Sequence, residues 1–252
     1  YILGAHQKKD LSRLKKMVSF FNRAREKLPD YLQSNDYRFC VFAVPDATAM
    51  AKVLGFDADN AVLKWMAGTI LFSVLIINLE LCDAILAHSG RTRMNLFIRN
   101  LTHEFSHLSL GHSGVRMPLW LEEGVCEHLS GSPQNMDHLH AASIHIEDFT
   151  RFVRECHLSG ETGRGHETSL LEFSEEPIDT NPGYILTHDF VSFLEHQAGF
   201  NEFLTDIRVE GLKVLLNPFP LLHSKHDLLK LSLEDILAAW HSDLDERLSS
   251  RP

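Results

Sequence analysis

One pentapeptide constrains this chain more than any other feature: His103-Glu104-Phe105-Ser106-His107, an HExxH pattern. It lies within residues 92–110, where Leu96, Phe97, Leu101, Phe105 and Leu108 recur at helical spacing. On a helix, positions i and i+4 stand about 40° apart around the axis, so both imidazoles point at one spot. Two neutral imidazole nitrogens at ~2.0–2.1 Å suit a zinc ion. Glu104 is turned slightly away from that spot. There it can hold a zinc-activated water and act as general base rather than bind the ion. A third ligand then has to come from a second element.

That element follows eleven residues after His107, in Pro118-Leu119-Trp120-Leu121-Glu122-Glu123-Gly124. Pro118 suits the first turn of a helix and Gly131 suits its end. HExxH followed by W-L-x-E-G resembles the gluzincin metallopeptidases, the thermolysin-like and aminopeptidase-like clan. The resemblance implies that Glu123 is the third zinc ligand. A His₂Glu set leaves the fourth position open for water, the arrangement of a catalytic site. Gly124 costs ~1 kcal/mol within a helix relative to Ala, which a close meeting of two helices at the metal would justify. Glu127 lies four residues after Glu123 on the same face. The resemblance makes it the acceptor for the outer ring nitrogen of His103 or His107, fixing the tautomer. Glu122 reads as an ordinary charged surface residue.

Other histidines fit less well. His112 would serve in the pattern HExxHxxGxxH, but Leu110 and Ser113 stand where that pattern needs Gly and His. His138, His140 and His145 have no regular ligand spacing and read as a solvated loop.

Zinc hydrolases of this kind add a donor for the oxyanion of the tetrahedral intermediate. Tyr184 opens Y-I-L-T-H-D-F-V-S-F-L-E after Pro182-Gly183. This resembles a gluzincin aminopeptidase segment in which a Tyr, a small residue three positions on, and an apolar run ending in L-E recur. It implies that Tyr184 is the oxyanion donor, with His188 as the fallback. Thr187 takes the small-residue place, where Gly is commoner. An edge strand ahead of the HExxH helix holds extended substrate in this clan, and Ser73–Leu79 is the expected counterpart. The aminopeptidase signature G-x-M-E-N is absent, so nothing marks recognition of a free N-terminus. The resemblance spans roughly residues 70–248, is most specific at 103–127, and leaves residues 1–65 unexplained.

Composition bounds the remaining choices. Lys and Arg number 24 against 34 Asp and Glu among 252 residues, a net charge of −10, which argues against nucleic acid as the main partner. Cys40, Cys82, Cys126 and Cys156 show no CxxC spacing, which points away from a disulfide scaffold and toward a reducing compartment, the cytoplasm ahead of a processed secreted form, which stays open. The longest uncharged run, Trp65–Leu79, is fifteen residues, too short for the ~18 of a spanning helix.

The expected elements are a helix over 8–28, a strand at Arg38–Val44, a short helix at Ala47–Leu54 and a strand at Ile70–Leu79. Helices follow over 92–110, from Pro118 to Gly131, and near 146–157, 183–197, 201–209 and 232–248, the last capped by Ser232 with Asp235. A short loop is expected around Gly111 and Gly114, and a longer one over 158–182. Strands early and helices late predict an α+β, zincin-like fold: a small mixed sheet, the zinc-binding helices, and a mostly helical C-terminal half. The chain reads as one catalytic domain with segments 1–65, 66–145 and 146–252. The functional expectation is a peptidase with one zinc per chain acting on peptide or protein substrates. The alternative is a zinc-binding but inactive module of gluzincin type.

Overall fold

The computed structural model describes residues 1–33, 38–57, 67–71, 73–87, 91–112, 119–131, 135–159, 181–196 and 232–250. It is an α+β chain with a four-stranded mixed sheet and mostly helical content. The expected helix at 201–209 and most of the expected loop at 158–182 lie outside the described residues. Two compact units are present, Tyr1–Ser113 with Leu129–Ser132, and Gly114–His128 with Pro133–Pro252.

The first unit carries the sheet, in the order β1-β2-β4-β3. Strand β1 (Ile2–Ala5) pairs in parallel with β2 (Cys40–Val44), and β2 in parallel with β4 (Val74–Asn78). Strand β3 (Gly68–Leu71) pairs antiparallel with β4. Parallel neighbours need a crossover, and helices supply it here. Helices α1 (Lys8–Lys16) and α2 (Val18–Arg25) lie between β1 and β2 in sequence, and α3 (Ala47–Leu54) follows β2. Asp46 starts α3 by accepting a hydrogen bond from the Ala49 N–H at 2.8 Å, and Gly55 ends it at φ 75°.

Several expectations change. The single helix over 8–28 is two helices, broken at Met17, where the Met17 N–H bonds to the Leu14 carbonyl. The strand at Ile70–Leu79 is a hairpin, β3 and β4, turned at Ser73 with φ 63°. It ends at Asn78, whose Oδ1 accepts the Leu81 N–H at 3.3 Å at the start of α4 (Leu79–Ala87). The segment Ser73–Leu79 is therefore not an edge strand. β4 is interior, and its consecutive residues Leu75, Ile76, Ile77 and Asn78 are all buried, so both of its faces are covered, which explains the continuous apolar run. The edge on that side is β3.

The HExxH segment lies in α5 (Arg91–His112), which continues through Gly111 where a loop was expected. Residues 101–110 of α5 are buried except for Glu104 and His107, which are half-buried. Such a helix must satisfy its small hydroxyls internally. Thr102 Oγ1 donates to the Ile98 carbonyl at 2.8 Å, and Ser106 Oγ to the Thr102 carbonyl at 2.8 Å. Thr102 Oγ1 also lies 3.3 Å from the Ala24 carbonyl of α2. Phe105 closes an aromatic cluster with Tyr1, Phe21 and Phe39, at centroid separations of 6.1, 6.0 and 4.9 Å. Tyr1, Phe21, Ala24 and Phe39, in the region the family resemblance does not cover, thus form part of the bed on which the HExxH helix rests.

Among the described residues the second unit is helical. Helices α6 (Leu119–Ser130), α7 (Met136–Ser143), α8 (Ile146–Ser159), α9 (Pro182–His196) and α10 (Leu233–Ser249) follow in order. The final two residues of α6, Leu129 and Ser130, belong to the first unit. Trp240 of α10 packs on Phe149 and Phe190 at 5.7 and 5.0 Å. Its Nε1–H donates to Asp189 at 2.8 Å, and Arg247 grips the same buried carboxylate through two nitrogens. Ser232 and Asp235 form the expected reciprocal cap of α10.

Candidate metal centre

The His103 and His107 rings meet edge-on on α5, their planes inclined at 71°, with Nε2 atoms 3.1 Å apart. Two ligands on a tetrahedral ion at ~2.0–2.1 Å stand about 3.3 Å apart, so this pair already has nearly the spacing of two ligands of one ion. His103 is only 7% exposed. Glu123, on α6, is also buried, at 9% exposure. One ligand atom each from His103, His107 and Glu123 falls within 4.8 Å of the others. The set is a donor group of two imidazoles and one carboxylate. It could hold a metal ion. Among the described residues no other group of three His, Cys, Asp or Glu side chains converges this way.

Glu104 is half-buried, one residue from His103, and its Cγ lies near the start of β3. A Cβ built on Gly68 would stand 3.9 Å from Glu104 Cγ and 3.4 Å from the Ile76 carbonyl oxygen. Gly68 thus adjoins the carboxylate at the edge strand. Its only sequence signal was a glycine within a β-rich apolar run, which marks a close approach of backbone.

Glu127 is half-buried one turn beyond Glu123 on α6, and Glu122 is half-buried on the same helix. His112 is the last residue of α5, and its side chain is outside the described residues. The expected loop of histidines is corrected: His138 and His140 sit on α7, which Asn135 caps through Oδ1 to the Asp137 N–H at 2.9 Å. His145 follows in the turn between α7 and α8. Cys40 and Cys82 are free thiols. Burial, its largest cause, pushes the Cys82 thiol up to about 12, so it stays protonated and is no thiolate ligand.

Tyr184 stands in the first turn of α9, half-buried. Asn181 caps that turn, its Oδ1 accepting the Gly183 N–H at 2.9 Å. His188, the fallback donor, is half-buried one turn on, its ring 6.4 Å from that of His128. His128 Nε2 lies 3.2 Å from Glu195 Oε1.

No family model matches the chain, and no curated relative or solved structure does either. Among the described residues no helix is long and apolar enough to cross a membrane.

Proposed function

We propose that the chain is a zinc-dependent metallopeptidase of gluzincin type. The observation that carries this reading is the approach of His103, His107 and Glu123 ligand atoms to within 4.8 Å, with Glu104 next to the first of them. A carboxylate that is not needed as a ligand, placed beside a metal-ligand pair, is what hydrolysis of an amide requires and what a purely structural site does not. Zinc is the ion that a His₂Glu donor set favours; when bound there it would polarise the scissile carbonyl and acidify a water.

The remaining chemistry falls to side chains of this chain. Glu104 takes the proton of the attacking water and later returns it to the leaving amine. Tyr184 donates a hydrogen bond to the oxyanion as charge develops on it. Glu127 holds a ligand imidazole in its tautomer. An extended peptide substrate pairs with the outer edge of β3, next to Gly68 and Glu104.

Digestion of a proteome-derived peptide library by wild type and Glu104→Gln tests this reading. The variant keeps the shape and the ligands but lacks the base. We expect equal zinc content and stability, with turnover in wild type only. Equal background in both would instead favour a zinc-binding, inactive module.

A further inference from the structure

We infer that Gly124 is a positioning residue: it seats α6 on α9 and thereby fixes the carboxylate of Glu123 and the hydroxyl of Tyr184 relative to each other. The inference rests on the metallopeptidase reading above and assigns a role to the glycine of the W-L-x-E-G segment.

Gly124 is helical and shows no positive φ, so backbone freedom does not explain it. Space does. A Cβ at Gly124 would stand 2.5 Å from Val191 Cγ2, 2.6 Å from Thr187 Cγ2 and 2.8 Å from the Thr187 carbonyl oxygen. A methyl group can rotate aside, but a backbone oxygen inside a helix cannot. Any side chain at 124 would therefore push the two helices apart. By contrast, Gly111, also helical, meets nothing within 4 Å.

The neighbours of this contact give it a functional meaning. Glu123 immediately precedes Gly124. Tyr184 precedes Thr187 by three residues and Val191 by seven, so the three share one stripe of α9. One turn further on along both helices, at Gly124 plus four and Val191 plus four, His128 meets Glu195 at 3.2 Å. That second point of attachment opposes sliding of α9 along α6, and it gives a task to the glutamate that ends the L-E run. At the other end, Asn181 pins the first turn of α9, where Tyr184 stands. A displacement of the seat therefore shifts the ligand relative to the oxyanion donor, and misplacement by 1 Å can cost about 10²-fold in rate.

The test uses the full chain loaded with zinc. Gly124→Ala is expected to lower zinc affinity, read by chelator competition, by about tenfold or more, and kcat by about 10²-fold with KM little changed. Adding Thr187→Ala and Val191→Ala to Gly124→Ala removes two of the three clashes and should restore part of both losses. In a Tyr184→Phe background the kcat loss from Gly124→Ala should shrink, because the group being misplaced has already lost its hydroxyl. If Gly124→Ala does not fold, Thr187→Ala with Val191→Ala at an intact Gly124 loosens the seat from the other helix and should give the same two losses. Wild-type zinc affinity and kcat in a folded variant of the seat would overturn the inference, as would losses that simply multiply with that of Tyr184→Phe. Absence of turnover in wild type would sink the peptidase reading alone; the chelator competition would still decide whether the seat positions Glu123.

Discussion

Phe105, set between the two ligand histidines in sequence, lies against Phe39 with ring centres 4.9 Å apart. The contact joins the candidate metal helix to the N-terminal region of the chain. His103 and Phe105 sit 200° apart around α5 by the geometry of the helix, about opposite one another. One side of α5 therefore carries the candidate metal ligands while the other is buried in the aromatic cluster. The precision of the site depends on the packing of that far side.

Phe105→Ala would remove the ring from the cluster of Tyr1, Phe21 and Phe39. Truncation of a buried Phe costs about 3–5 kcal/mol. The expected outcome is a urea midpoint lowered accordingly, and a further zinc-dependent rise in midpoint, since an ion that binds only the folded state stabilises it. A change below about 1 kcal/mol would show that α5 is held by other contacts.

The Nε2 separation of 3.1 Å predicts one zinc per chain. His103→Ala and His107→Ala should each release it and lower the melting temperature, as metal analysis and calorimetry of the purified variants would show. Stoichiometric zinc in the double variant would refute a site at this pair.

Glu123→Ala should weaken zinc binding strongly, whereas His112→Ala should leave it nearly unchanged. Chelator competition on the two variants distinguishes the ligand sets. The reverse order would move the third ligand to the end of α5.

Tyr184→Phe deletes one hydroxyl and keeps the ring. A phenol that bonds the oxyanion more tightly than the ground-state carbonyl acts on kcat. Loss of one such donor costs about 10²–10³ in kcat, or roughly 3–4 kcal/mol. Zinc content, folding and KM should stay close to wild type, with His188→Ala showing the smaller effect. A large effect of His188→Ala together with a silent Tyr184→Phe would exchange the two roles.

Several helices, that of the HExxH segment among them, were legible because their signals are local. The period of Leu101, Phe105 and Leu108 marks α5, the Ser232–Asp235 pair marks the start of α10, and Asp46 and Gly55 bracket α3. Elements without a local signal were missed. Strand β1 is four residues long, too short to show a period, and forms only by pairing with β2 thirty-eight residues away, Ile2 with Cys40. Helix α7, with His138 and His140 on its polar side, has the composition of a loop, yet Leu139 and Ala142 are buried. The apolar run Ile70–Leu79 carried no mark of the turn at Ser73, since a run covered on both faces has no alternation.

The sequence by itself determined which side chains could be ligands, because i and i+4 on a helix face one spot whatever surrounds them. It also determined that Gly124 needed a reason, because glycine weakens a helix. Only the tertiary structure decided that Thr187 and Val191 are that reason, that the edge strand is β3, and that Tyr1, Phe21 and Phe39 pack beneath α5. Ligand spacing and capping are set within a turn or two of chain. Edge position, close approach and burial depend on which distant segment arrives, and no local pattern encodes that.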